Sequence, residues 1–246
     1  MPPGIFVPIL ICGDKNFRKD GDQLDYVFLL KSLPLYAHAA ALTLRISFWS
    51  VLFSLCIGFL CSILVYFKVR VLKSAANLYI EISRNTPSLI QLFFLYYGLT
   101  QIGLKLEAET CAVIGLTFLG GGYMAEAFRA GLESVSRSQI ESGMSIGLTK
   151  QQLIRYVIVP QAFSVALPAL EANTIFLIKE TSIVSAVALS DLMFVAKDLI
   201  GMYYSTTEAL FVLVLAYLII LLPVSLLLTA LERRVHFGQF GNSRNS

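Results

Sequence analysis

Apolar stretches long enough to cross a bilayer recur along this chain, separated by shorter polar segments. They run from about residue 37 to 67, 87 to 104, 111 to 130, 162 to 189 and 209 to 231. A helix needs about 20 mostly apolar residues to cross the hydrocarbon core. The pattern therefore predicts an all-α membrane protein with five transmembrane helices. The second stretch has a start signal: Thr86 is placed to cap, and Pro87 takes the first helical position, where its missing N–H costs nothing. The third contains Gly120, Gly121 and Gly122. Glycines let two backbones approach closely in lipid, so this run predicts a packing or pore-lining face, and a candidate contact between subunits. The divisions that follow are an N-terminal extracytoplasmic tail at 1–36, a membrane domain at 37–234 and a cytoplasmic tail at 235–246.

Composition agrees. Charged residues make up 14% of the chain, against about 25% in soluble domains. The net charge of +3 suggests no nucleic-acid partner. The placement of the positive charges says more. Lys68, Arg70, Lys73 and Arg84 lie between the first and second stretches, and Arg137, Lys150 and Arg155 between the third and fourth, with Arg129 at the edge. Arg233, Arg234 and Arg244 follow the fifth, whereas the alternate loops hold only Lys105 and Lys197. The positive-inside rule puts the basic loops in the cytoplasm, with the N-terminus outside and the C-terminus inside. Lys15, Arg18, Lys19 and Lys31 run against that orientation. Cys12, Cys56, Cys61 and Cys111 form no CxxC pair, and His38 and His236 form no HExxH. Neither a disulfide framework nor a zinc enzyme is indicated.

The loop at 135–160 is unusually ordered for a connector. Ser136 with Gln139 fits a capping box, with Val135 and Ile140 as its hydrophobic staple. Thr149 with Gln152 repeats the pattern. Between them Gly147 can adopt the left-handed conformation that ends a helix. Pro160 is expected to stop the second helix. The segment thus predicts two short helices about a tight turn, and an ordered exposed loop more often binds a partner than merely connects.

Glu141-Ser142-Gly143, three residues, Gly147, nine residues, then Val157-Ile158-Val159-Pro160 resembles the "EAA" loop of ABC importer permeases, E-A-A, x3, G, x9, I-x-L-P. Ser142 and Gly143 depart from the two alanines. Gly143 should loosen its helix by up to about 1 kcal/mol, leaving it to order fully on docking. Glu81 to Pro87 with Gln91 to Leu99, Tyr123 to Gly131, and Lys179-Glu180-Thr181-Ser182 are similar to stretches of the polar-amino-acid permeases. Asn85 stands where that group has glycine, and both residues tolerate positive φ. The resemblance implies a type I ABC importer permease fold whose coupling loop, with Glu141, Ser142, Gly143, Gly147 and Pro160, docks on cytoplasmic ABC ATPase subunits. It also implies an extracytoplasmic solute-binding protein, a second permease chain (identical or related), and a polar amino acid as substrate.

Glu126, Glu171, Lys179 and Glu180 fall within or at the ends of apolar stretches. A charge at the bilayer centre costs roughly 2.5–3.5 kcal/mol on insertion scales, so such groups face a cavity or a partner. Two readings stand. Glu126, Asn173, Lys179, Glu180 and Ser182 line a path for a zwitterionic solute, or they lock helices together. No G-x-x-x-x-G-K-[ST] stretch occurs. The chain is therefore expected to bind no cofactor, to be no enzyme itself, and to rely on ATP used by the partner ATPase. A secondary transporter is the alternative. It would need ion-coupling residues and usually internal repeats, and it leaves the ordered loop unexplained.

Overall fold

The computed structural model describes residues 26–239, with the side chains of 28–234. Most of the tail assigned to 1–36, and the charges and side chains beyond 234, lie outside the described residues. Four segments are long and apolar enough to cross a membrane: α1 (Tyr26–Tyr66), α5 (Ala108–Glu133), the rod 150–187 that contains α8 (Val159–Glu180), and α10 (Thr206–Gln239).

The first helix starts well before residue 37. Phe28, Tyr36 and Ala39 are buried in a cluster with Leu192, Leu199, Ala209 and Val212. The Tyr36 hydroxyl donates to the Ala209 carbonyl at 2.8 Å. Pro34 is accommodated within this helix. Its partners are α10 and α9 (Leu192–Tyr203), a helix between the fourth and fifth crossings that the hydrophobic pattern did not separate from its neighbours.

The second crossing is not the single helix expected at 87–104. α1 and α5 run parallel, because Arg45 meets Glu109 while Gly58 meets Met124. The chain between them must therefore return across the bundle. It does so as α2 (Arg70–Asn85), a break at Thr86-Pro87, then α3 (Ser88–Phe93), a π-helical turn (Phe94–Gly98) and α4 (Leu99–Gln101). The break is a proline effect: the residue before proline is pushed from the helical region, and Thr86 sits at φ −105°, ψ 132°. Thr86 consequently gives α3 no side-chain cap, and its carbonyl instead accepts from Gln91 Nε2 at 3.1 Å. Asn85 is the last helical residue of α2, with its amide on the Glu81 carbonyl and carboxylate, and needs no positive φ. The basic residues Arg70, Lys73 and Arg84, expected in a loop, are thus helical.

α5 is the central post. An added Cβ at Gly120 would lie 2.3 Å from Ser54 Oγ on α1 and 2.5 Å from Leu177 Cδ1 on α8. One at Gly122 would lie 2.0 Å from Ser83 Oγ on α2. The glycine run is a packing face, but it is spent inside one chain and offers no surface to a second.

Candidate functional site

The 135–160 segment folds as its local signals require. α6 (Arg137–Ser145) opens with a complete Ser136/Gln139 capping box, and α7 (Lys150–Leu153) with a complete Thr149/Gln152 box. Gly147 lies between them at φ +84°. The Leu148 N–H donates to the Gly143 carbonyl at 3.1 Å and the Gly147 N–H to Met144 at 3.0 Å. These two bonds are the Schellman closure of a helix C-terminus. Val135, Leu153, Ile158 and Ala162, with Ile140 and Leu148 against them, form a small core beneath the hairpin. Gly143 is buried there, where an added Cβ would approach Leu153 Cδ1 to 2.6 Å. Its lack of a side chain therefore serves packing, and α6 is fully formed without a partner. Glu141, Ser142, Met144 and Ile146 remain exposed.

Pro160 does not stop the second helix. α7 continues through a π-helical turn (Ile154–Ile158) straight into α8, with Pro160 in the first turn of α8. The wider turn shifts the hydrogen-bond register just before a residue that has no N–H to give. The consequence is mechanical: one rod runs from Lys150 to Glu180, about 46 Å at 1.5 Å per residue. At its foot Gly131 of α5 crosses so closely that an added Cβ would lie 2.2 Å from the Ala162 carbonyl oxygen.

The same rod carries most of the intramembrane polar residues. Asn173 donates to the Tyr123 carbonyl at 3.1 Å. Tyr123 lies under the Arg84 guanidinium, 5.4 Å from the ring centroid. Glu126 accepts from Arg129 at 2.6 Å and pairs with Arg84 at 3.5 Å. Glu126 and Asn173 are thus drawn together around Tyr123, where α2, α5 and α8 meet. Glu180 stands two turns along α8 from Asn173 and accepts from the Ser88 hydroxyl at the start of α3. Ser182 follows it in a 3-10 turn (Thr181–Val187) and takes the Ser185 hydroxyl on its carbonyl at 2.9 Å. Lys179 is exposed, and its side chain has neither a hydrogen bond nor an ion pair among the described residues. Glu171 accepts from Thr229 at 2.8 Å, tying α8 to α10.

Three residues of this region were missed in the sequence. Arg84 was counted as a loop charge, because α2 is too polar to read as part of a crossing. Ser88 had no signal at all. Asp191 was legible as an aspartate before an apolar run. It caps α9 through the Phe194 and Met193 amides at 2.9 and 3.2 Å and is fully buried. Loss of water pushes its carboxyl up to about 6, against the opposing pull of those amides and Lys197.

Residues 50–237 match the family described as "Binding-protein-dependent transport system inner membrane component". The chain is 37% identical over 196 residues to the probable amino-acid ABC transporter permease protein PatM of Vibrio harveyi, covering 78% of this chain and 88% of that one. It is 31% identical over 215 residues to the glutamine transport system permease protein GlnP of Escherichia coli strain K12, covering 87% and 98% respectively. Among solved structures it is similar to an amino acid ABC transporter crystallised with histidines, with TM-score 0.79 and 33% identity over 86% of this chain and 99% of that one.

Proposed function

The chain belongs to the family of binding-protein-dependent transport system inner membrane components and is an amino-acid ABC importer permease; from that premise we propose that α6 is the knob through which a separate cytoplasmic ATPase drives it. The observation that carries this reading is the continuity of the hairpin with α8. A body docked on Glu141, Ser142, Met144 and Ile146 would push a hairpin closed by two capping boxes and a Schellman turn. The second helix of that hairpin, α7, is one rod with the helix bearing Asn173, Lys179 and Glu180. Packed elements move as bodies, so closure of the ATPase would tilt α8 against α5 at the Gly131–Ala162 crossing.

In this reading the solute is a polar amino acid, delivered by an extracytoplasmic binding protein. Lys179 supplies a cation for its carboxylate and Glu180 an anion for its ammonium. Ser182 and Asn173 border the path, while Glu126 pairs with Arg84 and Arg129. A second permease chain, identical or related, completes the path about a two-fold axis. The basic loops face the cytoplasm, with the N-terminus outside.

The test uses Gly147→Val and Glu141→Lys in the purified permease with its ATPase. At φ +84° a β-branched residue is strained, by about 1–2 kcal/mol or more, and Glu141→Lys reverses a charge on the exposed face. Both variants should insert normally yet lose ATPase binding in pull-down and substrate-stimulated hydrolysis. Full binding and stimulation in both would reduce the hairpin to a connector.

A further inference from the structure

A groove of about 760 Å³ runs between α1 and α5 on the side away from α8, with Tyr79 of α2 among its lining. Its α1 wall is Trp49, Phe53 and Ile57, one turn apart, and Phe118 belongs to its α5 wall. Trp49 stacks on Phe53 at 5.7 Å, and Phe118 meets Tyr79 edge-on at 5.1 Å. Trp49 and Phe53 are 43% and 44% exposed, so the wall is open along its length. The character changes abruptly at the end where α5 begins. Arg45, one turn above Trp49, pairs with Glu109, which lines the groove together with Glu107 at the N-terminus of α5. Glu107 is exposed, caps nothing with its side chain, and has no ion pair among the described residues. From Arg45 to Ile57 the wall is about 18 Å long, close to one leaflet of a hydrocarbon core about 30 Å thick.

We propose that this groove binds one phospholipid with a primary-amine headgroup, its acyl chain along the Trp49–Phe53–Phe118 wall, its phosphate on Arg45 and its ammonium on Glu107. Charge selects this occupant. Glu109 leaves Arg45 partly satisfied, with guanidinium N–H groups still free for a phosphate oxygen. The uncompensated charge at the mouth is then the Glu107 carboxylate, which asks for a cation beyond the phosphate. An anionic headgroup would bring no cation and face two carboxylates. A choline headgroup carries the charge but has no N–H to donate. A second copy of the chain, seated here, would have to strip water from the exposed Arg45 and Glu107 and the half-buried Glu109.

Trp49 is the only tryptophan in the chain, so its fluorescence reports this groove alone. The full-length permease is reconstituted in bilayers containing a minor fraction of lipid with brominated acyl chains, which quench on contact. The lipid is phosphatidylethanolamine, phosphatidylcholine or phosphatidylglycerol in turn. Brominated phosphatidylethanolamine should be enriched at Trp49 about five-fold over the other two, equivalent to about 1 kcal/mol. Glu107→Gln, an exposed change that leaves the wall intact, should bring phosphatidylethanolamine down to the common level, whereas Arg45→Gln, which removes the phosphate partner shared by all three headgroups, should lower quenching by each. Equal quenching by all three headgroups would mean ordinary boundary lipid only. No quenching by any would mean that protein covers the groove. Preference unchanged in Glu107→Gln would remove the assigned ammonium partner. Each of these three results overturns the proposal.

Discussion

Asp191 is the residue whose energetics run most plainly against its surroundings. A carboxylate that caps a helix is ordinarily stabilised, but full burial outweighs its two amide bonds and lifts its pKa from 3.8 to about 6. The folded state therefore holds a proton that the unfolded chain has already lost between those two values. Its contribution is most favourable below the unfolded pKa and is lost as pH rises through the folded one. Asp191→Asn keeps a cap without a charge. Its stability relative to the parent should rise between pH 4 and pH 7, by up to about 3 kcal/mol at 1.36 kcal/mol per unit. Thermal unfolding of the two proteins across that range checks the sign. A parent that gains on the variant as pH rises would show the carboxylate to be well paired.

Among the elements, those closed by local chemistry were readable and those shaped by neighbours were not. Both capping boxes, the Gly147 turn and the Val135/Ile140 staple follow from residues within a few positions of one another, and all are present. The broken second crossing was not readable, because α2 mixes Tyr79, Ser83 and Arg84 with apolar residues and turns them toward α5, where Ser83 is buried, Tyr79 bonds to the Phe118 carbonyl and Arg84 pairs with Glu126. The passage of α8 through Pro160 was also hidden, since it depends on a π-helical turn with no sequence mark. The candidate path divides likewise. Its charges could be picked out one by one, but the pairing of Glu126 with Arg84 required knowing that α2 lies beside α5. Glycine contacts at the element scale give a paired prediction. At Gly131 an added methyl meets backbone of α8, which cannot turn aside, whereas at Gly143 it meets the end of the Leu153 side chain. Gly131→Ala should lose about 1–3 kcal/mol, visible as a lower Tm. Gly143→Ala should lose little, because the gain in helix propensity offsets the shift of Leu153. Equal Tm values for the two would contradict the close α5–α8 crossing.

For the whole molecule, the arrangement couples two ends of a bundle about a single central helix. α5 holds α1, α2 and α8 at close range through its glycines, and α8 extends into the hairpin. The proposed orientation rests on the basic residues near Lys68, Arg137 and Lys150. With single cysteines in a cysteine-free background, Lys150→Cys should label only from the cytoplasmic side and Lys197→Cys only from outside. Labelling of both from one side would contradict five crossings. The central claim is that this chain carries an amino acid at the expense of ATP hydrolysed elsewhere. Its most direct measurement is uptake of a panel of labelled amino acids into proteoliposomes holding the permease, its ATPase and its binding protein. The account predicts uptake of a polar amino acid that requires ATP inside and ceases when the ATPase is omitted or when Gly147→Val replaces the parent chain. Uptake by the permease alone, driven by a sodium or proton gradient, would contradict it.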